Sequence, residues 1–266
     1  MKKTLFQGLA IIFLFLATWF LLNQIDWMNL LRIEKATQST EEKLSELFLE
    51  SFTSNAAELT DSALLAPIDS IVSKVCTANQ IERETIHLHL LDRDEVNAFA
   101  LPAKHLVIYS GLLRETDNPE ELAGVIGHEL AHIELNHVMK KLGKEIGLTA
   151  LISMTGGNNG SIFAKDVAKL LSSTAFDREL EREADETALE YLLNAKINPA
   201  PLADFLYKLS LNETDQPDFI NWISTHPDSK ERAESLAERC KKLDGEYEAV
   251  ISAESWDWLK AQEALN

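Results

Sequence analysis

The stretch 118–132, NPEELAGVIGHELAH, decides the fold of this chain. Asn at a helix N-cap and Pro at the first helical position predict a helix that begins at Pro119. At about 100° per residue, His128 and His132 lie about 40° apart around this helix and one turn apart along it. Both imidazoles can therefore bind one metal ion, and Glu129 can reach a water at that ion without being a ligand. The alternative, a surface helix with two histidines, disagrees with the uncharged residues that flank the motif.

A third metal ligand is expected on another element, because catalytic zinc sites usually have three protein ligands and a water. The best candidate is the acidic segment 178–185, in which Glu181 and Asp185 lie on one face of a predicted helix. Glu181 can ligate the metal, while Asp185 can accept a hydrogen bond from a ligand imidazole and fix its tautomer. Glu183 points about 200° away from Glu181, toward solvent. Without the histidine motif, a solvated charged helix face would be the favoured interpretation of this segment.

Composition limits the classes of protein to which the chain can belong. Hydrophobic residues make up 45% and charged residues 26%, as in a packed globular domain. The formal net charge of −18 argues against nucleic acid as a partner and against docking onto anionic lipid. Two cysteines, Cys76 and Cys240, exclude a disulfide scaffold and a cysteine-rich zinc module. They could pair in an oxidising compartment, but the sequence does not fix the distance between them.

The N-terminus has the features of a membrane anchor. Lys2 and Lys3 precede an apolar run from Leu5 to Leu22, which at about 1.5 Å per residue nearly spans a hydrocarbon core of about 30 Å. Bulky residues follow where a signal peptidase requires small ones, so residues 1–23 are predicted to be an uncleaved single-pass anchor. A cleaved signal is the lesser option, and a buried helix of a soluble protein is the alternative. The basic residues place the N-terminus in the cytoplasm and the rest outside the inner (cytoplasmic) membrane, in the periplasm or an equivalent space.

The remaining chain is predicted to form a helical linker, a catalytic domain and a C-terminal tail, over residues 24–60, 61–244 and 245–266. Ser39 with Glu42 predicts a helix start through a capping box. Apolar patterning predicts three short strands that form a small antiparallel sheet, over residues 86–90, 97–101 and 106–109. Two further helices are predicted over residues 68–76 and 162–193. Another is predicted to start at Asn198-Pro199, and a last one to begin near Asp228. The fold class is therefore α+β and mainly helical, with an added N-terminal transmembrane helix.

Four segments of the chain together resemble the M48 metallopeptidases. In chain order they are residues 97–102, 128–132 and 181–185, and Thr225-His226-Pro227 with Arg232 five residues later. The single anchor is similar to the periplasmic quality-control members of that family. One departure is Ala103-Lys104, where family members usually carry Gly-Gly.

The resemblance implies a zincin (gluzincin-like) catalytic domain that holds one Zn²⁺ per chain. His128, His132 and Glu181 are the implied zinc ligands, and Glu129 is the implied catalytic base. His226 is implied to lie near the metal, where it either polarises the reacting carbonyl or controls access. Asp185 and Arg232 are expected to support the ligands from behind.

The predicted function is zinc-dependent hydrolysis of peptide bonds in unfolded or extended polypeptides, in envelope protein quality control. The strand formed by Asn97, Ala98, Phe99 and Ala100 could align an extended peptide by adding it as a further strand. The alternative is a chaperone-like or assembly module that uses the same cleft with little proteolysis. A weaker alternative is metal storage or zinc-dependent hydrolysis of small molecules.

The other histidines have less specific interpretations. His137 lies about 140° around the helix from His132, so it is not expected to be a ligand. His87 and His89 share one face of a strand and could bind a second metal, although a polar sheet surface is the favoured interpretation.

Overall fold

A computed structural model describes residues 33–54, 56–147, 176–211 and 225–262 of the chain, with side chains described from residue 38 onward. The chain divides into two units, residues 1–40 and residues 41–266. In the described part of the first unit, residues 33–40 are helical. The second unit contains the sheet and the candidate site.

The described helices are numbered in chain order. They are α1 Ile33–Thr53, α2 Ser62–Ala78, α3 Ser110–Glu115, α4 Pro119–Glu134, α5 His137–Glu145, α6 Arg178–Asn194, α7 Ala200–Leu211, α8 Ser229–Cys240 and α9 Ala253–Lys260. A 3-10 turn, Arg83–Thr85, precedes the strands. The strands are β1 His87–Leu91, β2 Ala98–Leu101 and β3 His105–Tyr109.

The three strands form a mixed sheet in the order β1-β3-β2. β2 and β3 are antiparallel, whereas β1 and β3 are parallel, so the prediction of an antiparallel sheet is wrong for β1. After the turn, β3 runs back antiparallel to β2. The other side of β3 pairs with β1, which runs in the same direction as β3, so β3 lies between β2 and β1. The turn uses Ala103 and Lys104 with φ of 53° and 61°, so these residues adopt the left-handed conformation that Gly-Gly would favour.

Helix α4 is the central element of the second unit. Asn118 caps it as predicted, because its side chain accepts a 2.8 Å hydrogen bond from the Glu121 N–H. The helix is buried on every side from Glu121 to Ile133 and packs against α2, α6, α7, β2 and β3. A Cβ at Gly124 would lie 2.7 Å from Cβ of Leu202, so glycine allows α7 to approach α4 closely. The burial explains why the flanks of the histidine motif are uncharged.

Several helix boundaries differ from the prediction. The capping box at Ser39 is wrong, because α1 already begins at Ile33 and passes through it. α2 begins at Ser62, where Asp61 caps it, earlier than predicted. A further helix, α9, follows the one that was expected to be last, and it buries Trp256 and Leu259.

Two other expectations concern the thiols and the membrane. Cys76 and Cys240 are both free thiols in this structure. The predicted anchor over residues 1–23 lies outside the described residues, as does the part of the predicted 162–193 helix before residue 176. Among the helices that the structure describes, none combines the length and apolar character needed to cross a bilayer.

Candidate metal centre

Helix α4 and helix α6 bring their candidate ligands to one buried point. His128, His132 and Glu181 are each no more than 1% exposed. Nε2 of His128 and Nε2 of His132 lie 3.0 Å apart. The Glu181 carboxylate lies 3.4 Å from His132 Nε2 and 3.6 Å from His128 Nε2. The structure thus brings together ligands from two helices, although His128 and Glu181 are 53 positions apart in the sequence.

His226 completes this group from the segment just before α8. Its Nδ1 lies 3.1 Å from Glu181 Oε1 and 3.4 Å from His128 Nε2. The adjacent backbone is fixed, because Phe176 N–H donates a 3.1 Å hydrogen bond to the Thr225 carbonyl. We call these four residues the catalytic cluster: His128, His132, Glu181 and His226.

The spacing within the catalytic cluster fits one zinc ion. Zinc–ligand distances of about 2.0–2.2 Å in a tetrahedron place neighbouring ligand atoms about 3.3 Å apart. The measured separations range from 3.0 to 3.6 Å, and one ligand atom from each residue lies within 4.8 Å of all the others. Three imidazoles and a carboxylate are also donors that zinc favours.

Arg232 and Asp185 contact members of the catalytic cluster and hold them in position. Arg232 donates two hydrogen bonds of 2.7 and 2.8 Å to the Asp185 carboxylate and forms a 2.5 Å ion pair with Glu181. Asp185 lies 3.0 Å from His128 Nδ1, so it can hold that ring with Nε2 toward the cluster. Both expected supporting residues therefore contact candidate ligands, and a buried arginine offsets the two buried carboxylates.

These contacts set the protonation states of the buried groups. Burial raises the pKa of Asp185, but Arg232 and the contact with His128 outweigh it and lower the pKa to about 2. Burial also opposes ionisation of Glu181, yet Arg232 and His226 hold its pKa well below the usual range. Burial lowers the pKa of His128, but Asp185 and Glu181 raise it to about 9 in the metal-free protein. A metal ion therefore has to displace a proton from His128.

Glu129 lies between the catalytic cluster and the sheet. One carboxylate oxygen, Oε2, accepts a 2.9 Å hydrogen bond from Ala100 N–H. The other, Oε1, makes no hydrogen bond with the described residues and lies 3.4 Å from His226 Nε2. Burial raises the pKa of Glu129, and His226 and His128 only partly offset that effect. A buried carboxylate with a raised pKa is suited to general base chemistry near neutral pH.

β2 is an outer strand of the sheet, as a docking edge requires. The Asn97 carbonyl accepts a hydrogen bond from Tyr109 N–H, so the alternate residues Ala98 and Ala100 direct their backbone groups away from β3. The bond from Ala100 to Glu129 shows that this edge faces the catalytic cluster. Asn97 is buried just before β2, and its side-chain oxygen has no hydrogen-bond partner among the described residues.

His137 and Glu183 contribute more than the sequence suggested. Nδ1 of His137 lies 3.0 Å from Nδ1 of His132, and its Nε2 lies 3.2 Å from the Glu183 carboxylate. Glu183 is directed toward solvent as predicted, with its side chain 47% exposed, and its carboxylate still contacts His137. The contact between His137 and His132 arises because α4 ends at Glu134 and Asn136, with φ of 54°, redirects the chain before α5. His137 is not a ligand in this arrangement but holds the ring of His132 from behind.

The fold and this site together define a zinc-dependent metalloendopeptidase. A family model described as Peptidase family M48 matches residues 63–240, which is more than half of the chain. The chain belongs to peptidase family M48, whose members depend on zinc.

Curated relatives agree with this assignment. The chain is 31% identical over 210 residues to the metalloprotease LoiP of Escherichia coli (strain K12), covering 74% of this chain and 82% of LoiP. It is 25% identical over 246 residues to the beta-barrel assembly-enhancing protease of Yersinia pestis, covering 85% of this chain and 49% of that protein. It is 27% identical over 210 residues to mitochondrial metalloendopeptidase OMA1 of Bos taurus, covering 72% of this chain and 40% of that protein. The chain thus spans about half or less of the length of the last two relatives.

Proposed function

We propose that this metallopeptidase cuts extended or unfolded polypeptide segments, with His128, His132 and Glu181 as the ligands of one Zn²⁺ and Glu129 as the general base. The observation that carries the proposal is the position of Glu129. Its carboxylate lies beside the candidate ligands and is hydrogen-bonded to Ala100 of the outer strand. A peptide docked on that strand would therefore lie next to both the base and the metal.

The chemistry divides between the metal and Glu129. When bound, Zn²⁺ supplies Lewis-acid chemistry and lowers the pKa of water to about 7. Glu129 takes a proton from the attacking water and later gives it to the departing amine. The oxygen that carries this proton is Oε1, because Oε2 is held by Ala100 N–H. The raised pKa of Glu129 favours the first of these steps, because it makes the carboxylate a stronger base.

An extended substrate is favoured by the form of the docking edge. The outward backbone groups of Ala98 and the carbonyl of Ala100 can pair with a strand-like peptide but not with a helix, while the Ala100 N–H is held by Glu129. Folded proteins expose few such segments, so unfolded or locally extended chains are the expected substrates. We place this activity outside the inner membrane, tethered by residues 1–23, and in envelope protein quality control. The apolar N-terminal run and the relative named for beta-barrel assembly support that assignment.

The Glu129→Gln variant tests the general base directly. It should keep zinc, because Glu129 is not a ligand, and should lose cleavage of unfolded casein by at least about a hundredfold. Glu134→Gln is the matched control, because Glu134 lies on the same helix but is exposed and pairs with Lys104. Undiminished cleavage by Glu129→Gln would overturn the assignment.

A holding or assembly function is the second candidate, and the position of His226 favours it. His226 Nδ1 lies 3.1 Å from Glu181, at the distance of a fourth ligand, and a histidine held there would keep the reacting carbonyl from the metal while the strand edge still binds the chain. His226→Ala should then keep zinc through the other ligands and raise the cleavage rate of a short peptide. A fall in the rate would instead assign His226 to polarising the reacting carbonyl. Equal rescue of an envelope-stress phenotype by wild type and Glu129→Gln would favour the holding function.

A further inference from the structure

A second group of imidazoles lies on the sheet, apart from the catalytic cluster. His89 follows His87 by two residues on one face of β1, and His105 of β3 is the register partner of His87. Nε2 of His89 lies 2.8 Å from Nδ1 of His105. The ring centroid of His87 lies 4.6 Å from that of His105. We call these residues, with the neighbouring Glu58, the sheet cluster.

Glu58 fixes the orientation of His89. Its carboxylate lies 2.7 Å from His89 Nδ1, which directs Nε2 of the ring toward His105. The backbone around Glu58 is itself held at the outer edge of β1, because Leu59 N–H bonds the Leu90 carbonyl and Asp92 N–H bonds the Ala57 carbonyl, both at 2.8 Å. A carboxylate that accepts from one ring nitrogen leaves the lone pair on the other, which is how metal-binding histidines are oriented.

We propose that His87, His89 and His105 bind a second transition-metal ion, with Zn²⁺ as the expected metal. Glu58 orients His89 for this role. Two nitrogens, those of His89 and His105, already face each other and need to separate only from 2.8 Å to about 3.3 Å to share a tetrahedral ion. The third donor, His87, is stacked on His105 with the ring planes 30° apart, so its ring has to turn about its side-chain bonds to reach the same point, and its exposure allows that turn. Imidazole donors favour zinc or copper over magnesium or calcium.

The protonation state of the cluster is compatible with metal binding. Burial, and then the proximity of His89 and His87, lowers the pKa of His105 to about 4. His105 is therefore neutral at pH 7 and has a lone pair to donate. When a metal ion binds between His89 Nε2 and His105 Nδ1, the proton that lies between these two nitrogens moves to Nε2 of His105. No further reactant is needed.

The expected role of this ion is structural. It would link β1 to β3, and β3 in turn carries the outer strand β2. Glu129, the candidate base, does not contact the sheet cluster in this structure; it bonds β2 at Ala100. The second ion is therefore expected to stabilise the sheet without entering the hydrolytic chemistry.

The test is a zinc count on the full-length protein. Metal-free protein is dialysed to equilibrium against buffered free Zn²⁺, and zinc per chain is measured by atomic spectrometry. Wild type should bind two ions, and the His89→Gln/His105→Gln variant should bind one and still cleave casein. Glu181→Ala should keep the ion of the sheet cluster. Equal zinc in wild type and in the double variant would overturn the proposal, as would a wild-type count of one.

Single variants make the test independent of any folding defect in the double variant. His87→Gln changes only an exposed side chain and should weaken the second ion alone. Glu58→Gln should weaken it by about tenfold to a hundredfold, because Glu58 orients a ligand. Glu84→Gln is the matched control, because it removes the same charge from an exposed residue of the turn before β1. Equal second-site affinities of Glu58→Gln and Glu84→Gln would contradict the role of Glu58, and an unchanged affinity in His87→Gln would contradict the proposed ligand set.

Discussion

The catalytic cluster and the sheet cluster each combine three imidazoles with one glutamate, but their surroundings differ. The catalytic cluster is buried, with three members on helices and His226 just before α8, and Arg232 and Asp185 neutralise and orient its members. The sheet cluster is partly open to solvent, with His89 17% exposed, and Glu58 orients it. The same donors can therefore serve two purposes. The proposed hydrolysis requires the adjacent base Glu129 and a strand edge for the substrate, whereas the proposed metal link between strands requires neither.

The largest expected difference between the clusters comes from Glu181→Ala. This change removes a candidate ligand and leaves the charge of Arg232 buried without its 2.5 Å partner. Zinc in the catalytic cluster should bind at least about a hundredfold more weakly, because loss of a ligand exceeds the roughly 10–100-fold cost of losing a group that only orients one, and casein cleavage should be lost. Glu179→Ala, an exposed change on the same helix, is the control. Wild-type zinc affinity in Glu181→Ala would mean that the third ligand lies elsewhere.

Asp185→Asn should have an intermediate effect on metal binding. Asparagine keeps an oxygen near His128 but loses the charge that pairs with Arg232. Zinc affinity should fall by about tenfold to a hundredfold, as is usual when a group that orients a ligand is changed. Competition with a zinc chelator measures this change. An affinity equal to that of wild type would show that Asp185 does not orient His128.

The same residue predicts a pH dependence of stability. The pKa of Asp185 is lowered from 3.8 to about 2, so its ionised form stabilises the folded state above the unfolded pKa, and this stabilisation is lost as the pH falls from about 4 toward 2. The difference in unfolding free energy between wild type and Asp185→Asn should therefore shrink by about 2 kcal/mol over that range. Urea unfolding of the metal-free proteins at several pH values measures it. A difference that does not change with pH would refute the depressed pKa.

His137→Ala should have the smallest effect of the three on the catalytic cluster. It removes the 3.0 Å contact that holds His132, but both ligand nitrogens and the base remain. Zinc affinity should fall by about tenfold. His105→Gln, which removes an imidazole from the sheet cluster instead, should leave the catalytic ion and casein cleavage unchanged. If His137→Ala and His105→Gln had equal effects on the catalytic ion, the contact with His132 would not matter.

Local rules predicted much of the catalytic cluster. The helix start at Pro119 follows from the Asn118 cap, and the one-turn spacing of His128 and His132 follows from helix geometry. The i, i+4 spacing likewise placed Glu181 and Asp185 on one face of α6, where the structure has both of them contacting His128. In these cases the decisive interaction lies within one element, so the sequence contains the information.

Predictions failed where the decisive interaction joins distant segments or where an element ends early. Strand order depends on non-local pairing, which the apolar pattern of each strand does not encode, so the prediction of an antiparallel sheet is wrong for the parallel pair β1–β3. The contact between His137 and His132 depends on the left-handed residue Asn136, which helical periodicity cannot reveal. The asparagine at that position was the available signal, since Asn is frequent in the left-handed conformation that ends helices.

The most direct test of the account is the position of zinc in crystals of the Glu129→Gln variant, located by anomalous scattering at the zinc edge. The account predicts a strong peak about 2.0–2.2 Å from Nε2 of His128, from Nε2 of His132 and from the Glu181 carboxylate. A zinc-loaded crystal in which Glu181 points away from that peak, or in which no peak lies between α4 and α6, would contradict it.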